Sequence, residues 1–112
     1  VPGLPDPGLY AEISKRKVMF KELDPLLHSQ LRLAVMSLLL GLESAEFTFL
    51  KEKTGCTAGN LSVQLDKLSE AGYIQVEKSF NGKKPLTTCR ITRKGIKAFE
   101  EYVNSLKDYI RK

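Results

Sequence analysis

The segment from Thr57 to Ile74 has one edge of leucines and an opposite edge of hydrogen-bonding side chains. Leu61, Leu65 and Leu68 recur at helical spacing, which predicts an amphipathic helix over residues 57–71 with the leucines buried. The opposite edge is neutral and polar, whereas a solvated face usually carries more charge. It comprises Thr57, Gly59, Asn60, Ser62, Val63, Gln64 and Lys67. These residue types favour hydrogen bonding to a partner, and the alternative is that Asn60, Gln64 and Lys67 simply face solvent.

A basic hairpin follows this helix in the sequence. After Gly72 the apolar period changes from 3.6 to 2, which predicts strands over residues 73–80 and 86–92. The Asn-Gly pair between the two strands is a strong hairpin-turn signal. The basic and amide residues of this hairpin are Lys78, Asn81, Lys83, Lys84 and Arg90. We therefore expect a narrow, exposed and basic turn.

The positive charge of the chain is concentrated in its second half. Residues 1–56 contain seven basic and seven acidic residues, whereas residues 57–112 contain eleven basic and six acidic ones. The second half therefore carries the whole net charge of +5. The segment Lys78–Lys97 alone has seven basic residues and no acidic one. Such a local excess is the electrostatic footprint of a surface that binds a polyanion.

The first part of the chain predicts an arm and then a long helix. Three prolines and two glycines among the first eight residues predict an extended arm, and residues 9–23 have a weak helical pattern. Asp24-Pro25 is a capping residue followed by proline, which predicts a helix that begins there and ends at Gly41. We interpret His28, near the start of this helix, as a packing or capping residue.

Two short helices around a tight turn are predicted next. Thr48 is the expected cap of a helix that ends at Gly55, and Thr57 is the expected cap of the following helix. Only Cys56 separates that glycine from Thr57. This arrangement is a helix-turn-helix pattern.

A final helix, capped by Thr92, carries an apolar seam that repeats every three or four residues. The seam residues are Ile96, Phe99, Val103, Leu106 and Ile110. Tyr102 and Tyr109 lie beside the seam. Because a small domain has difficulty covering so long an apolar edge, we predict that the seam forms a dimer interface. The alternative is that it folds back on the core of its own chain.

Length and composition limit the remaining possibilities. A chain of 112 residues predicts one domain with one core. No apolar run approaches the ~20 residues of a membrane span, and no signal-peptide pattern opens the chain, so we expect a cytoplasmic protein. Cys56 and Cys89 have no metal-ligand spacing and are expected to be buried, reduced thiols, with a disulfide between them as the alternative. The sequence has no signature of an enzyme, a metal site or a cofactor site.

The order helix, helix, helix, strand, basic turn, strand, helix is that of a winged helix-turn-helix. The segments GNLSVQLDKLSEAGYI and TTCRITRKGIKAF resemble the small winged-helix transcriptional regulators related to the MarR and ArsR groups. The resemblance covers residues 23–102. It implies an α+β, mostly helical fold with a two-stranded β-hairpin wing and a long C-terminal helix.

The composition of the first residues and the resemblance of the rest together predict a division of the chain into three parts. Residues 1–22 form an N-terminal arm, which is also a candidate dimerisation helix. Residues 23–92 form the DNA-binding domain. Residues 93–112 form a C-terminal helix that is the main dimerisation element.

In the regulators that the chain resembles, the helix that corresponds to residues 57–71 of this chain enters the major groove of DNA. Asn60 and Gln64 would each present an amide bidentately to adenine, and Val63 would touch a thymine methyl group. Gly59 would let the backbone come close to the duplex. The side chains that would bond phosphates or base edges are Thr57, Ser62 and Lys67.

The hairpin corresponds to the wing of these regulators. Lys83 and Lys84 at its tip would lie in the minor groove or against the backbone. Lys78 and Arg90 on the flanking strands would hold phosphates. The implied partner is double-stranded DNA.

Such regulators bind as twofold dimers, so the resemblance implies a homodimer on a palindromic operator that represses by occupying a promoter. MarR-like proteins often respond to a small-molecule effector, and the candidate pocket residues are Tyr10, Phe20, Tyr102 and Tyr109. Two alternatives remain: a winged-helix protein-interaction module and a non-specific architectural DNA binder. Duplex RNA fits less well, because its major groove is too narrow for a helix.

Overall fold

The computed structural model describes residues 20–110. Almost all of the predicted arm, residues 1–22, and of the predicted helix over residues 9–23 lies outside the described residues. Residues 20–23, the end of that predicted helix, have irregular backbone, so the helix does not continue to Leu23 as expected. Among the residues described, no helix combines the length and the apolar character needed to cross a membrane.

Four α-helices and one three-stranded antiparallel sheet make up the described part of the chain. In chain order the elements are α1 (Gln30–Leu42), β1 (Ser44–Glu46), α2 (Phe47–Thr54), α3 (Ala58–Glu70), β2 (Ile74–Asn81), β3 (Lys84–Ile91) and α4 (Arg93–Ile110). The strand order is β1-β3-β2, with β3 paired to both neighbours. The mostly helical α+β architecture with a hairpin and a long final helix is confirmed.

Asp24-Pro25 begins an isolated turn instead of the predicted helix. The Asp24 carboxylate accepts a hydrogen bond from the Leu26 N–H (3.0 Å), and the Asp24 carbonyl accepts one from the His28 N–H (2.9 Å). Ser29 then adopts an extended conformation (φ −151°, ψ 128°), which interrupts the helical pattern and makes it the N-cap of α1. The predicted helix start at Asp24-Pro25 is therefore wrong.

The C-terminal end of α1 is also set differently from the prediction. The helix continues through Gly41 and stops at Glu43, whose φ of 69° lies in a region that non-glycine residues rarely adopt. Two hydrogen bonds hold this residue. Its N–H donates to the Leu39 carbonyl (2.7 Å), and its carbonyl accepts from the Ile91 N–H of β3 (3.2 Å). The sheet therefore fixes the helix end, so the expected stop at Gly41 is wrong.

β1 adds a third strand to the expected two-stranded hairpin. It pairs with β3 through Ala45, which lies opposite Cys89. The extended backbone of β1 runs directly into α2, so Glu46 is the N-cap and its side chain makes no capping hydrogen bond. The predicted cap at Thr48 is therefore wrong, because pairing with β3 sets where the helix begins.

A single apolar core joins the helices to the sheet. The buried residues are Leu27, Val35, Met36, Leu39, Leu50, Leu61, Leu65, Leu68, Ile74, Cys89, Ile91 and Tyr102. Full burial of one aliphatic side chain stabilises a fold by roughly 1.5–3 kcal/mol. Three of these leucines belong to α3 and confirm its predicted buried edge. Their burial determines which face of α3 is turned outward.

Candidate nucleic-acid interface

The turn between α2 and α3 is built from the local signals that the sequence predicts. Gly55 ends α2 in a left-handed conformation (φ 70°), and its N–H donates to the Lys51 carbonyl (2.9 Å). Thr57 caps α3, because its hydroxyl oxygen accepts from the Asn60 N–H (3.2 Å). Both caps are confirmed, and together they form the helix-turn-helix.

Most of the residues predicted to contact a partner from α3 are exposed. The exposed ones are Thr57, Gly59, Asn60, Ser62, Val63 and Lys67. A Cβ added at Gly59 would meet no atom within 4 Å, so the backbone is open to close approach there. Gln64 differs from the others, because it is half-buried.

Gln64 takes part in a chain of hydrogen bonds that starts on α1. Arg32 Nη1 donates to Gln64 Oε1 (2.5 Å), and Gln64 Nε2 donates to Asn60 Oδ1 (2.9 Å). Arg32 Nε also donates to the Leu26 carbonyl (2.5 Å). The structure therefore couples two amides that the sequence predicts to act separately.

Arg32 joins the candidate site through its hydrogen bond to Gln64 and was not predicted from the sequence. It is the only charged residue of α1, whose other residues are apolar or uncharged. A half-buried guanidinium requires hydrogen-bond acceptors, so a lone arginine in such a helix indicates polar partners across the packing. One of those partners, Gln64, is distant in sequence, and only the fold identifies it.

The outer part of the β2–β3 hairpin is an exposed two-stranded ribbon, which we call the wing (residues 78–87). β1 pairs only with residues 88–90 of β3, so the wing extends beyond the three-stranded part of the sheet. Gly82, with a φ of 67°, and Lys83 form the turn between the last strand pair. The predicted basic and amide residues of the hairpin are all exposed: Lys78, Asn81, Lys83, Lys84 and Arg90.

The alternation of side chains divides the hairpin residues between two faces. Lys78 and Phe80 share one face, whereas Arg90, opposite Gln75, lies on the other. Phe80 is 74 % exposed and pairs across the ribbon with Pro85. This apolar pair was not predicted, although an aromatic residue directly before the Asn-Gly turn of a basic hairpin is a visible signal in the sequence.

The first half of α4 packs against the core of its own chain. Thr92 caps the helix as predicted, because its hydroxyl oxygen accepts from the N–H three residues further on (3.0 Å). Ile96 and Phe99 are half-buried against the core. Tyr102, expected beside the seam, is buried instead, and its hydroxyl group is hydrogen bonded to His28 Nδ1 (3.0 Å).

The second half of α4 exposes the rest of the apolar seam. Val103 is half-buried, whereas Leu106 and Ile110 are 36 % and 74 % exposed. Tyr109, also exposed, packs against Phe20 with the two rings tilted by 45° and a ring-centroid distance of 5.0 Å. The exposed side chains of Phe20, Leu106, Tyr109 and Ile110 form one apolar patch, which we call the α4 patch.

An open cleft of about 450 Å³ lies between the segment before α1 and α4. The charged groups that line it are Lys21, Glu22, Asp24, Glu101 and Asp108. The Tyr73 hydroxyl group donates to Asp24 at the cleft wall (2.5 Å). Burial, reinforced by this hydrogen bond to a carboxylate, raises the pKa of Tyr73 to about 12. The excess of carboxylates favours a cationic over an anionic occupant.

The predicted effector-pocket aromatics are distributed over different places. Tyr102 lines the cleft, and Tyr73, which was not predicted, lines it as well. Phe20 and Tyr109 belong to the α4 patch and are not among the lining residues. Tyr10 lies outside the described residues.

The two cysteines are free thiols in different surroundings. Cys89 is buried as expected, and burial raises the pKa of its thiol to about 11. Cys56 is only half-buried, so the expectation that it is buried is wrong, and its Sγ lies 3.0 Å from the Thr54 hydroxyl oxygen.

A thiol reagent should therefore modify Cys56 in the native protein and leave Cys89 intact. At pH 8 a thiol with a pKa of about 11 is ionised to roughly one part in a thousand, and burial shields it further. Mass spectrometry should find one adduct in native protein, two in urea, and none in a native Cys56→Ser variant. Rapid modification of both thiols in native protein would contradict the burial of Cys89.

Comparison with known proteins agrees with this geometry. Residues 31–110 match the family model of a winged helix DNA-binding domain. The chain is also similar to an uncharacterized protein of Methanocaldococcus jannaschii, with 42 % identity over 76 residues. The matched part spans 68 % of this chain and 83 % of that protein.

Solved structures have the same fold. The transcriptional regulator homologue from Pyrococcus horikoshii superposes with a TM-score of 0.72 at 27 % identity, over 90 % of this chain and 92 % of that one. A mutant of MarR from E. coli, solved with operator DNA, has a TM-score of 0.64 at 19 % identity, over 88 % and 71 % of the two chains. The family match runs from α1 to the end of α4. The chain therefore belongs to the family of winged helix DNA-binding domains.

Proposed function

We propose that this protein binds a specific sequence of double-stranded DNA as a homodimer and regulates transcription. The observation that carries the proposal is the exposed, neutral and hydrogen-bonding face of α3 in a domain of the winged helix family. The same fold was solved with operator DNA in the MarR mutant, which supports duplex DNA as the partner. Occupation of a palindromic operator within a promoter would repress transcription, by analogy with other members of the fold.

In this proposal α3 inserts its N-terminal turns into the major groove, which is wide enough for a helix. Asn60 contacts the edge of an adenine, with Gln64 hydrogen bonded behind it. Val63, half exposed on the same face, contacts a thymine methyl group. Gly59 leaves room for the backbone to approach the duplex. The remaining side chains of this face bond phosphates or base edges: Thr57, Ser62 and Lys67.

The wing lies along the minor groove or the phosphate backbone. Lys83 in the turn and Lys84 beside it carry two positive charges to the end of the ribbon. Lys78 and Arg90, on opposite faces of the hairpin, reach phosphates on different sides. Because the sequence has no acidic residue from Lys78 to Lys97, the positive charge of the wing is uncompensated within the wing itself, and Glu77 lies just before it on the face of Arg90.

The α4 patch supports the dimeric state. Its side chains are exposed in one protomer, and an apolar surface of this kind is typical of protein interfaces. Two protomers joined through α4 would place two copies of α3 on successive turns of the same face of the duplex. In such a dimer the seam is divided. Ile96 and Phe99 pack against the core of their own protomer, whereas the exposed end of the seam contacts the partner protomer.

A small-molecule effector would bind in the cleft beside α4. Tyr73, directly before β2, and Tyr102, in the middle of α4, both line the cleft. An occupant would therefore contact both the DNA-binding part and α4, the proposed dimerisation helix. Its carboxylates favour a cationic molecule.

A second candidate function is that of a non-specific architectural DNA binder, and Phe80 is the observation that favours it. Proteins that bend DNA often insert an apolar side chain between base steps of the minor groove. Phe80 is 74 % exposed near the end of a basic ribbon, which is where such a wedge would stand. The hydrogen-bonding face of α3 favours the sequence-specific regulator over this candidate.

Selection from a random duplex pool separates these functions. The purified protein is incubated with the pool at two salt concentrations, and the bound DNA is sequenced. Enrichment of a palindromic site with a steep salt dependence is expected for a dimeric sequence-specific regulator. Binding without enrichment would favour the architectural binder, and no binding at low salt would favour a protein-interaction module.

Alanine at Lys83 or Lys84 should weaken binding to all DNA sequences alike. Each lost phosphate contact lowers the log–log dependence of the binding constant on salt by about 0.9, and a dimer loses two contacts per substitution. The slope should therefore fall by about 1.8 for each substitution while the preferred site stays the same. Lys107→Ala, which removes the same charge from the exposed side of α4, should leave the slope unchanged. An unchanged slope in the Lys83 and Lys84 variants would exclude the wing from the interface.

A further inference from the structure

We propose that Arg32 determines the base preference of Asn60 by fixing the orientation of two side-chain amides. The inference rests on the proposed function, because it assigns a role in sequence recognition to a residue that faces α3 instead of DNA. Arg32 is thus a positioning residue, whereas Asn60 is the residue that touches a base.

The donors and acceptors of this hydrogen-bond chain allow only one arrangement of the amides. A guanidinium has N–H donors and no acceptor, so Arg32 Nη1 must face the oxygen of Gln64. The nitrogen of Gln64 is then at the other end of that amide, and as a donor it must face the oxygen of Asn60. The orientation of Asn60 is therefore dictated from α1 through two hydrogen bonds.

Arg32 is itself held in place by partners on two sides. Its Nε donates to the Leu26 carbonyl in the turn before α1, while its Nη1 reaches Gln64 on α3. The side chain is half-buried between these partners. A planar guanidinium with two fixed acceptors has little freedom to turn, so it provides a rigid reference for the two amides.

The orientation of Asn60 matters because an amide has a donor end and an acceptor end. Adenine is recognised when the amide oxygen accepts from N6 and the amide nitrogen donates to N7. Asn60 Oδ1 keeps a second lone pair after it accepts from Gln64, and Nδ2 carries two N–H groups. An amide that is free to turn over would present the opposite pattern to other base pairs as well. The fixed orientation therefore contributes to base discrimination.

Selection from a random duplex pool with Arg32→Met and Arg32→Lys tests the proposal. Methionine removes the donors but keeps a long side chain, so discrimination at one base position of each half-site should fall by about tenfold. The other positions and the salt dependence should not change. Lysine also only donates, so Arg32→Lys should keep the same preferred base, but with weaker discrimination because a single flexible ammonium lacks the two fixed contacts of the guanidinium. Thermal unfolding of each variant establishes that it is folded.

Gln64→Glu should reverse the orientation of the Asn60 amide. A carboxylate accepts at both ends, so it still binds Arg32, but Asn60 must turn over and donate to it through Nδ2. The preferred base at that position should then change, instead of becoming less defined. Gln75→Glu adds the same charge on exposed β2 and should lower the affinity without changing the preferred base.

Three outcomes would overturn the proposal, and they are distinguishable. A folded Arg32→Met protein that keeps the wild-type base preference would remove Arg32 from recognition. Equal weakening at every base position would assign Arg32 a purely structural contact between α1 and α3. If the wild-type protein enriches no sequence, the proposed function fails and the recognition role fails with it. The side-chain amide NMR signals of Asn60 and Gln64 in the free protein then report separately whether Arg32 orients them.

Discussion

Alanine in place of Gly95 should destabilise the domain by about 3 kcal/mol. An added Cβ would lie 2.1 Å from the Tyr73 carbonyl oxygen and 2.9 Å from its carbonyl carbon. These are backbone atoms, which cannot turn aside as the end of a side chain can. The same oxygen accepts a hydrogen bond from the Thr92 N–H (3.0 Å), so relief of the clash must also disturb that contact. The start of α4 would have to move away from the start of β2.

Urea unfolding of Gly95→Ala beside Gly59→Ala measures this effect with a matched control. Gly59 is also a helical glycine, but a Cβ there meets no atom within 4 Å. Alanine at position 59 is therefore expected to stabilise the fold by up to ~1 kcal/mol through helix propensity. The two substitutions are chemically identical. If they change the free energy of unfolding in opposite directions, the difference is due to the packing at Gly95. A Gly95→Ala protein that unfolds at the wild-type urea concentration would contradict the clash.

The contact at Gly95 lies where α3, the hairpin and α4 meet. The Tyr73 N–H donates to the Leu68 carbonyl at the end of α3 (3.0 Å), and the Thr92 hydroxyl group donates to the Gly72 carbonyl (2.6 Å). Gly95 allows α4 to pack directly on this junction. The direction in which α3 and the wing leave the core therefore depends on a position that makes no contact with DNA in the proposed complex.

The parts of the fold that could be predicted from sequence are those determined by local chemistry. Gly55, Thr57 and Thr92 end or begin helices through hydrogen bonds within three or four residues, and all three were predictable from residue type. The leucine edge of α3 was predictable because burial follows the helical period. The hairpin was predictable because alternating residues flank an Asn-Gly pair.

The parts that could not be predicted depend on contacts between distant residues. Glu43 ends α1 because its carbonyl is bonded to Ile91 of β3, and β1 exists only because β3 offers it a partner. Asp24 has the capping chemistry that the sequence indicates, but it caps an isolated turn because Ser29 is extended. Local signals identify a cap without telling which element follows it.

The candidate site shows the same division. The polar face of α3 and the basic turn of the wing were predictable as surface features. The link from Arg32 to Gln64 was not, because it joins α1 to α3 across the packing. The apolar seam of α4 was predictable as a pattern. Only the tertiary structure shows that Ile96 and Phe99 pack against the core while the end of the seam is exposed to solvent.

Aspartate at both Leu106 and Ile110 should make the protein monomeric and weaken its binding to a palindromic operator by about 10²–10⁴-fold. Ile110 is 74 % exposed, so charge there costs the isolated fold little, whereas Leu106, at 36 %, loses some packing but still reaches water. In a dimer interface the same carboxylates would be buried without partners, which is strongly unfavourable. A monomer binds each half-site separately, so it loses the gain that comes from linking two copies of α3.

Sedimentation of the double variant gives its oligomeric state, and titration against the full operator and a half-site gives its binding. Half-site affinity should be unchanged, because neither α3 nor the wing is altered. Asn104→Asp places one negative charge, half of that in the double variant, at an exposed position of α4 outside the seam and should remain dimeric. A double variant that stays dimeric would exclude the α4 patch as the interface. The expected loss of operator affinity comes only from the lost linkage between two copies of α3. A monomer that keeps full operator affinity would therefore show that recognition needs only one copy of α3.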